Sequence, residues 1–270
     1  IMRNIRGQVV DIYPFQYNPV TKVLRVYTSM VIELKVNTAI EGINSFQTRD
    51  FHTMPLEYKE MYQGMYLNYS EAAQLRGYTD SPNGRMLMIY YGSFKSAIQP
   101  LVDWKTLKGI EVEMVDVSQF SDAAAIKTYV ANYYNSHADL TYLLLVGDYQ
   151  QITSTTVNSV SGYPSDQDPG PYAADNKYTL ISGNDDYPEI ISGRISAQNT
   201  TEVEIQVKKI LIYEKTPNLM NTGRFTNAAV ASLRLGPDNT TLVYKDMQAV
   251  KATLIGAGYT RCTELYESNL

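Results

Sequence analysis

A reactive thiol, a proton-carrying imidazole or a ring of hard oxygen ligands would give this chain a chemistry, and it offers little of the first two. Its single cysteine, Cys262, lies between Arg261 and Thr263 in a strand-like stretch, and its two histidines are His52 and His137. Neither histidine follows the carboxyl end of a predicted parallel strand, where open α/β sheets place their sites. Each therefore reads as a solvent-facing or packing residue, because a catalytic imidazole needs a partner held within hydrogen-bond reach. Cys262 reads as a small buried hydrophobe. A lone cysteine forms no internal disulfide, and no second Cys or His pair completes a zinc site.

Carboxylates are better placed. The segment Gly183-Asn184-Asp185-Asp186-Tyr187-Pro188-Glu189, together with Asp148, alternates side-chain carboxylates with backbone carbonyls at Asp185, Tyr187 and Glu189. A loop of that kind can turn several oxygens towards one hard cation such as calcium. The alternative is a polar turn whose Asp and Asn side chains satisfy their own backbone. A phosphate-binding loop is excluded, since Gly147-Asp148 lacks the further glycines and the helix start.

Positioning these residues requires an α/β framework, and the pattern supplies one after Arg85. The run Met86–Tyr91 has the length of a buried strand, Phe94 to Leu107 carries apolar residues at helical spacing, and Gly109 stops that helix. Ile110–Val115 is the next strand, Ala124–Tyr134 the next helix with Ser121 or Asp122 as its cap, and Leu143–Val146 a third, wholly apolar strand. This order predicts a parallel sheet flanked by helices. An irregular stretch over 150–175 follows, then a helix over Asn199–Lys215, where Asn199 and Glu202 form a capping-box signature. A second α/β pattern has strands over Ala228–Ser232 and Tyr259–Leu265 around a helix over Leu242–Leu254. Such a two-stranded pair cannot bury both faces and is expected to belong to a larger subdomain.

Ahead of the sheet, Gly7–Val36 reads as β structure: a hairpin turning at Tyr17-Asn18-Pro19, with the alternation resuming over Val31–Val36. Residues 37–85 form a polar, Tyr-rich passage with short helical stretches near Glu57–Tyr62 and Ser70–Gln74. Its length marks it as a linker or as chain lying along a partner surface. Turn formers at Arg76-Gly77 and at Ser81-Pro82-Asn83-Gly84 mark a boundary.

The length of 270 residues suits about two domains at roughly 150 residues each. With 44% apolar and 19% charged residues the chain can bury a core, which excludes a disordered protein. Lys and Arg total 23 against 28 Asp and Glu, a formal charge of −5 without like-charge blocks, which argues against nucleic acid as a partner. The longest apolar runs fall far short of the roughly 20 residues of a membrane-spanning helix. Ile1 opens in an extended segment with no basic and then apolar leader, so the native chain is expected to begin further upstream.

Several separated motifs resemble, in order and near-spacing, the gingipains, secreted bacterial cysteine endopeptidases with a caspase-like fold. They are Asn83-Gly84-Arg85-Met86, Val102-Asp103-Trp104-Lys105 with Lys108-Gly109, Leu140-Thr141-Tyr142 running into Leu144–Asp148, Gly183-Asn184-Asp185 with Tyr187 and Glu189, Gly193-Arg194-Ile195-Ser196, Ile212-Tyr213-Glu214 and Gly258-Tyr259-Thr260. Asp11–Val20, Leu24–Tyr27 and Asn68-Tyr69 resemble the end of the gingipain propeptide. The resemblance implies a caspase-like parallel sheet preceded by a β-rich propeptide segment. It divides the chain into a propeptide part over 1–76, a first α/β subdomain over 77–216 and the start of a second over 217–270, with maturation cleavage at Arg76-Gly77. It implies a structural calcium ion held by Asp148, Ser182 (carbonyl), Asp185, Tyr187 (carbonyl) and Glu189. The family's catalytic His and Cys fall downstream of the segment matching Tyr259–Tyr266, so no catalytic residue is expected within these 270 residues and Cys262 is not the nucleophile. The family's third, carboxylate member falls on Arg234, which cannot accept an imidazole N–H; Asp238 would substitute only if the Gly236-Pro237 turn folds back. The implied partners are a protein or peptide substrate and the propeptide against its own catalytic domain, in a secreted or cell-surface protein. A non-catalytic caspase-like scaffold is the alternative.

Overall fold

The computed structural model describes residues 2–3, 5–33, 35, 53–70, 77–81, 83–157, 172–215, 223–232 and 236–266. The chain divides into two compact units, Ile1–Lys208 and Lys209–Leu270.

The first unit is built on four parallel strands in the order β10-β7-β5-β6: β5 (Arg85–Tyr90), β6 (Glu111–Asp116), β7 (Leu140–Val146) and β10 (Ile191–Ile195). The central pair β5 and β7 is apolar because helices cover both of its faces; Leu87, Met88, Ile89, Leu143, Leu145 and Val146 have almost no exposed surface. Helix α2 (Lys95–Leu107) inserts Ala97, Ile98, Leu101 and Val102 into the core. Helix α3 (Ala123–Ser136) buries Ile126, Val130 and Tyr134, and Asp122 caps it by accepting a hydrogen bond from Ala125 N–H at 2.8 Å. The α3 side chains pack with Leu87, Ile89, Leu143, Leu145, Ile152, Tyr178 and Ile190 into one cluster.

Between β7 and β10, the short strands β8 (Thr156–Val157) and β9 (Tyr172–Ala173) pair antiparallel, and β10 itself was not expected from the sequence. Its Gly193 and Arg194 break the apolar run, and its place comes from register, with Ile191 opposite Tyr142 and Ile195 opposite Val146. Helix α4 (Thr200–Lys215) starts at the predicted capping box, with one change. Asn199 Oδ1 accepts from Glu202 N–H at 3.0 Å, while the Glu202 carboxylate reaches back one residue further, to Gln198 N–H at 2.8 Å.

At the N-terminus, β1 (Phe15–Asn18) and β2 (Val23–Val26) form the predicted hairpin, in which Asn18 Oδ1 accepts from Val20 and Thr21 N–H. The resumed strand does not form over residues 31–33, and residues 34 and 36 lie outside the described chain. Both hairpin strands are solvent-exposed throughout, so alternation there has no buried face to serve. The short strand β3 (Thr53–Pro55) pairs in parallel with β4 (Thr79–Ser81), and helix α1 (Leu56–Met65) leaves directly from β3. Tyr58, Tyr62 and Tyr69 then close a second core over Met2, Ile5 and Met54. The helical stretch expected near Ser70–Gln74 lies mostly outside the described residues.

In the second unit, β11 (Asn227–Ser232) and β12 (Arg261–Tyr266) pair in parallel, with Ala228 opposite Cys262. Helix α5 (Gly236–Gly256) joins them and starts earlier than its apolar spacing predicts.

Candidate functional site

The predicted oxygen donors separate into two places. Asp148 follows Gly147 at the carboxyl end of β7, where its carboxylate accepts from Ser196 Oγ at 2.8 Å and Gln198 Nε2 at 3.0 Å. Those two bonds hold its pKa below the usual carboxylate range. Ser182, Asp185, Tyr187 and Glu189 share the loop that leads into β10 at the opposite, amino-terminal end of that strand. Asp185 Oδ1 accepts from Tyr187 N–H at 3.0 Å, the local turn bond that the alternative reading expected. Glu189 is fully buried, and its Oε2 accepts from Ile181 N–H at 2.6 Å and Ser182 N–H at 3.0 Å. Burial pushes its pKa up, and these backbone donors pull against that shift. Among the described residues no group of three or more His, Cys, Asp or Glu is gathered so as to hold a metal ion. As arranged here, the five donors do not converge on one cation, and each carboxylate is engaged with protein groups.

One participant was missed by sequence reasoning. Arg3, 1% exposed, reaches the same loop. Its backbone N–H donates to Glu189 Oε1 at 3.3 Å, and its guanidinium donates to the carbonyls of Leu140 (2.6 Å), Glu189 (3.0 Å) and Ala138 (2.7 Å). The rings of Tyr58 and Tyr134 lie 5.0 and 5.6 Å from the guanidinium carbon, within cation–π range. The only local signal was a charged residue among the apolar Ile1, Met2 and Ile5. Nearby, Lys127 Nζ donates to the Leu180 carbonyl, and burial lowers its pKa.

At the carboxyl ends of β7 and β10 a second network surrounds Arg194. Its Nε and Nη2 pair with the two carboxylate oxygens of Asp175 at 2.7 and 2.8 Å, and Nη1 donates to the carbonyls of Gly147 and Ile152 at 2.8 and 3.0 Å. Burial opposes ionisation of Asp175, but the bonds from Arg194 and Ser154 outweigh it and its pKa falls. The arrangement fixes the chain that leaves β7, the edge from which parallel α/β sheets present their sites.

The expected bystanders are also placed. His137 caps α3, its ring stacked on Tyr133 at 3.9 Å and its Nδ1 within 3.0 Å of the Tyr133 carbonyl. Cys262 is a free, half-buried thiol in β12. Gly77 has left-handed backbone geometry (φ 61), whereas His52, Arg76 and Arg234 lie outside the described residues. Asp238 falls in the first turn of α5 rather than in a turn folding back.

Comparison with known proteins agrees with this architecture. The profile described as Peptidase family C25 matches residues 79–257, and that of the C25 propeptide matches residues 1–54. Gingipain R2 of Porphyromonas gingivalis is 32% identical over 99% of this chain and 35% of its own length, and Lys-gingipain of the same organism is 28% identical over 79% and 12%. The chain thus spans about a third of the length of gingipain R2. Among solved structures, the Arg-specific cysteine proteinase gingipain R (RgpB) superposes with a TM-score of 0.57 at 26% identity, covering 68% of this chain and 41% of that one. A complex of the RgpB pro- and mature domains superposes with the same score. With the propeptide match running through Arg3 and the peptidase match running through the parallel sheet, the chain belongs to peptidase family C25, the gingipain family of cysteine peptidases.

Proposed function

We propose that residues 1–270 are the propeptide end and the opening part of the catalytic domain of a secreted or cell-surface cysteine endopeptidase precursor, with thiolate and base supplied by chain beyond this stretch. The surroundings of the described candidates support this reading. His137 is stacked on Tyr133 and held at the end of α3, and Cys262 sits within a paired strand. In the complete enzyme the thiolate attacks the scissile carbonyl carbon. The imidazolium passes its proton to the leaving amine, and water then hydrolyses the thioester. The part played by residues 1–270 is to build the sheet and, through Arg194, to hold the chain leaving β7. The test is the sequence encoded beyond residue 270: a Gly-His-Gly segment and a later Cys support the proposal, and their absence overturns it.

Maturation at Arg76-Gly77 and a structural calcium ion belong to the same proposal. Calcium rests on the family resemblance of Asp148, Ser182, Asp185, Tyr187 and Glu189, which would have to rearrange to converge on it. A second reading, a non-catalytic binding scaffold, draws on Arg234 at the position of the family's acid.

A further inference from the structure

Separated stretches of the peptidase match meet helix α1 around one cavity of about 270 Å³. Asn83 and Met86 line it from the start of β5, and Lys105 and Lys108 from the end of α2. Ile110 lies just ahead of β6 and Tyr142 within β7, while α1 contributes Glu57. All of them belong to the first of the two units. Met86 and Ile110 are buried and give the cavity an apolar side. Gly109, left-handed at φ 86, makes room for one wall, because a Cβ there would meet Asn83 Nδ2 at 2.7 Å.

Its charged groups are of both signs. Glu57 Oε1 accepts from the Tyr142 hydroxyl, but Glu57 Oε2 has almost no water-accessible surface and no hydrogen-bond partner. An acceptor left in that state is costly, and a bound donor is the usual remedy. Lys105 lies in the last turn of α2 and Lys108 directly after it, where positive charge suits the negative end of the helix. Both are engaged with other groups of the protein, and the three donors of each ammonium leave capacity for a further acceptor. A bare metal cation is opposed by the two lysines, and a bare anion by the carboxylate. A molecule with an ammonium at one end and a carboxylate at the other satisfies both walls. The volume falls just below the about 300–1,000 Å³ of pockets for drug-sized ligands, which favours a small molecule over a nucleotide.

We propose that this cavity binds a free α-amino acid with an apolar side chain of about leucine size. The ammonium bonds to Glu57 Oε2, the carboxylate faces Lys105 and Lys108, and the side chain lies against Met86 and Ile110. The last torsion of a glutamate is soft, so Oε2 can swing towards the ligand while Oε1 keeps the Tyr142 hydroxyl. Binding of this kind needs neither a cut at Arg76-Gly77 nor a thiolate supplied by chain further on.

The test is a titration of the 270-residue chain with L-leucine at pH 7, followed by ligand-observed NMR. Leucine should bind with a Kd of about 0.1–1 mM, within reach of so small a ligand. N-acetyl-leucine lacks the ammonium and leucinamide lacks the carboxylate, and each should bind about tenfold more weakly or worse. Glu57→Gln keeps the shape and an acceptor for the Tyr142 hydroxyl. It should weaken leucine about tenfold and leave N-acetyl-leucine unchanged, a pattern that mere loosening of the fold would not produce. The double change Lys105→Met and Lys108→Met should weaken leucine and leave leucinamide unchanged, and it carries the test if Glu57→Gln does not fold. No leucine binding up to about 10 mM overturns the proposal. So does a capped form that binds as well as leucine, or a folded variant that binds leucine as the parent does.

Discussion

Replacing Arg194 by Met should be among the most damaging single changes at the carboxyl end of the sheet. Met keeps most of the aliphatic volume and removes four hydrogen bonds: two to Asp175 and one each to the Gly147 and Ile152 carbonyls. The side chains are 14% and 27% exposed, so the pair is mostly but not wholly removed from water. Summing four charge-assisted bonds at about 1.5–3 kcal/mol each would overshoot, because they share one group and are not independent. The better guide is the loss of one partner of a buried pair, about 3–5 kcal/mol, reduced by residual solvation to about 3 kcal/mol. The single tryptophan, Trp104 on α2, reports on the sheet unit in a urea titration. With a slope of about 2–3 kcal/mol per molar, the midpoint should fall by about 1–1.5 M. The sign with pH follows from Asp175. Its pKa is lowered in the folded state, so its contribution is complete above the unfolded value of about 4 and is lost as pH falls through the folded value. The gap between parent and variant should therefore narrow in acid. A midpoint unchanged at neutral pH, or a gap that widens as pH falls below 4, refutes the assignment.

Other expectations follow from neighbouring parts of the fold. Gly147 holds φ 147, and a Cβ there would meet Gln151 Cβ at 2.9 Å, so Gly147→Ala should destabilise by about 1–3 kcal/mol in the same titration. If the proposed calcium ion binds, millimolar calcium should raise the melting temperature and Asp185→Ala should abolish the increase. Binding at a hundredfold excess over Kd stabilises by about 2.7 kcal/mol, and equal melting with calcium and with chelator refutes the site. Val130, fully buried on α3, should cost about 2–4 kcal/mol when cut to Ala, read as a loss of urea midpoint without a change of slope.

What could be read in advance was whatever leaves a local mark. The strands β5, β6 and β7 announce themselves by apolar or alternating runs, and the α4 start by Asn199 and Glu202, because periodicity and capping act within a few residues. Strand β10 is short and carries Gly193 and Arg194, and its identity comes from pairing with β7 and from the bonds of Arg194, neither of which has a local signature. The same holds more strongly for Arg3 and Glu189, partners across 186 residues. The acidic loop was legible as a loop of carboxylates. That Glu189 would turn inward onto the amides of Ile181 and Ser182 depends on β10 and the Arg3 segment closing over it.

Whether this stretch of chain carries its own hydrolytic machinery separates the opening part of a precursor from a self-sufficient enzyme. Purified residues 1–270, incubated with a broad set of fluorogenic peptides under reducing conditions, are expected to show no turnover above buffer, and Cys262→Ala is expected to change nothing. Hydrolysis that is blocked by thiol reagents and disappears in Cys262→Ala would contradict the precursor reading.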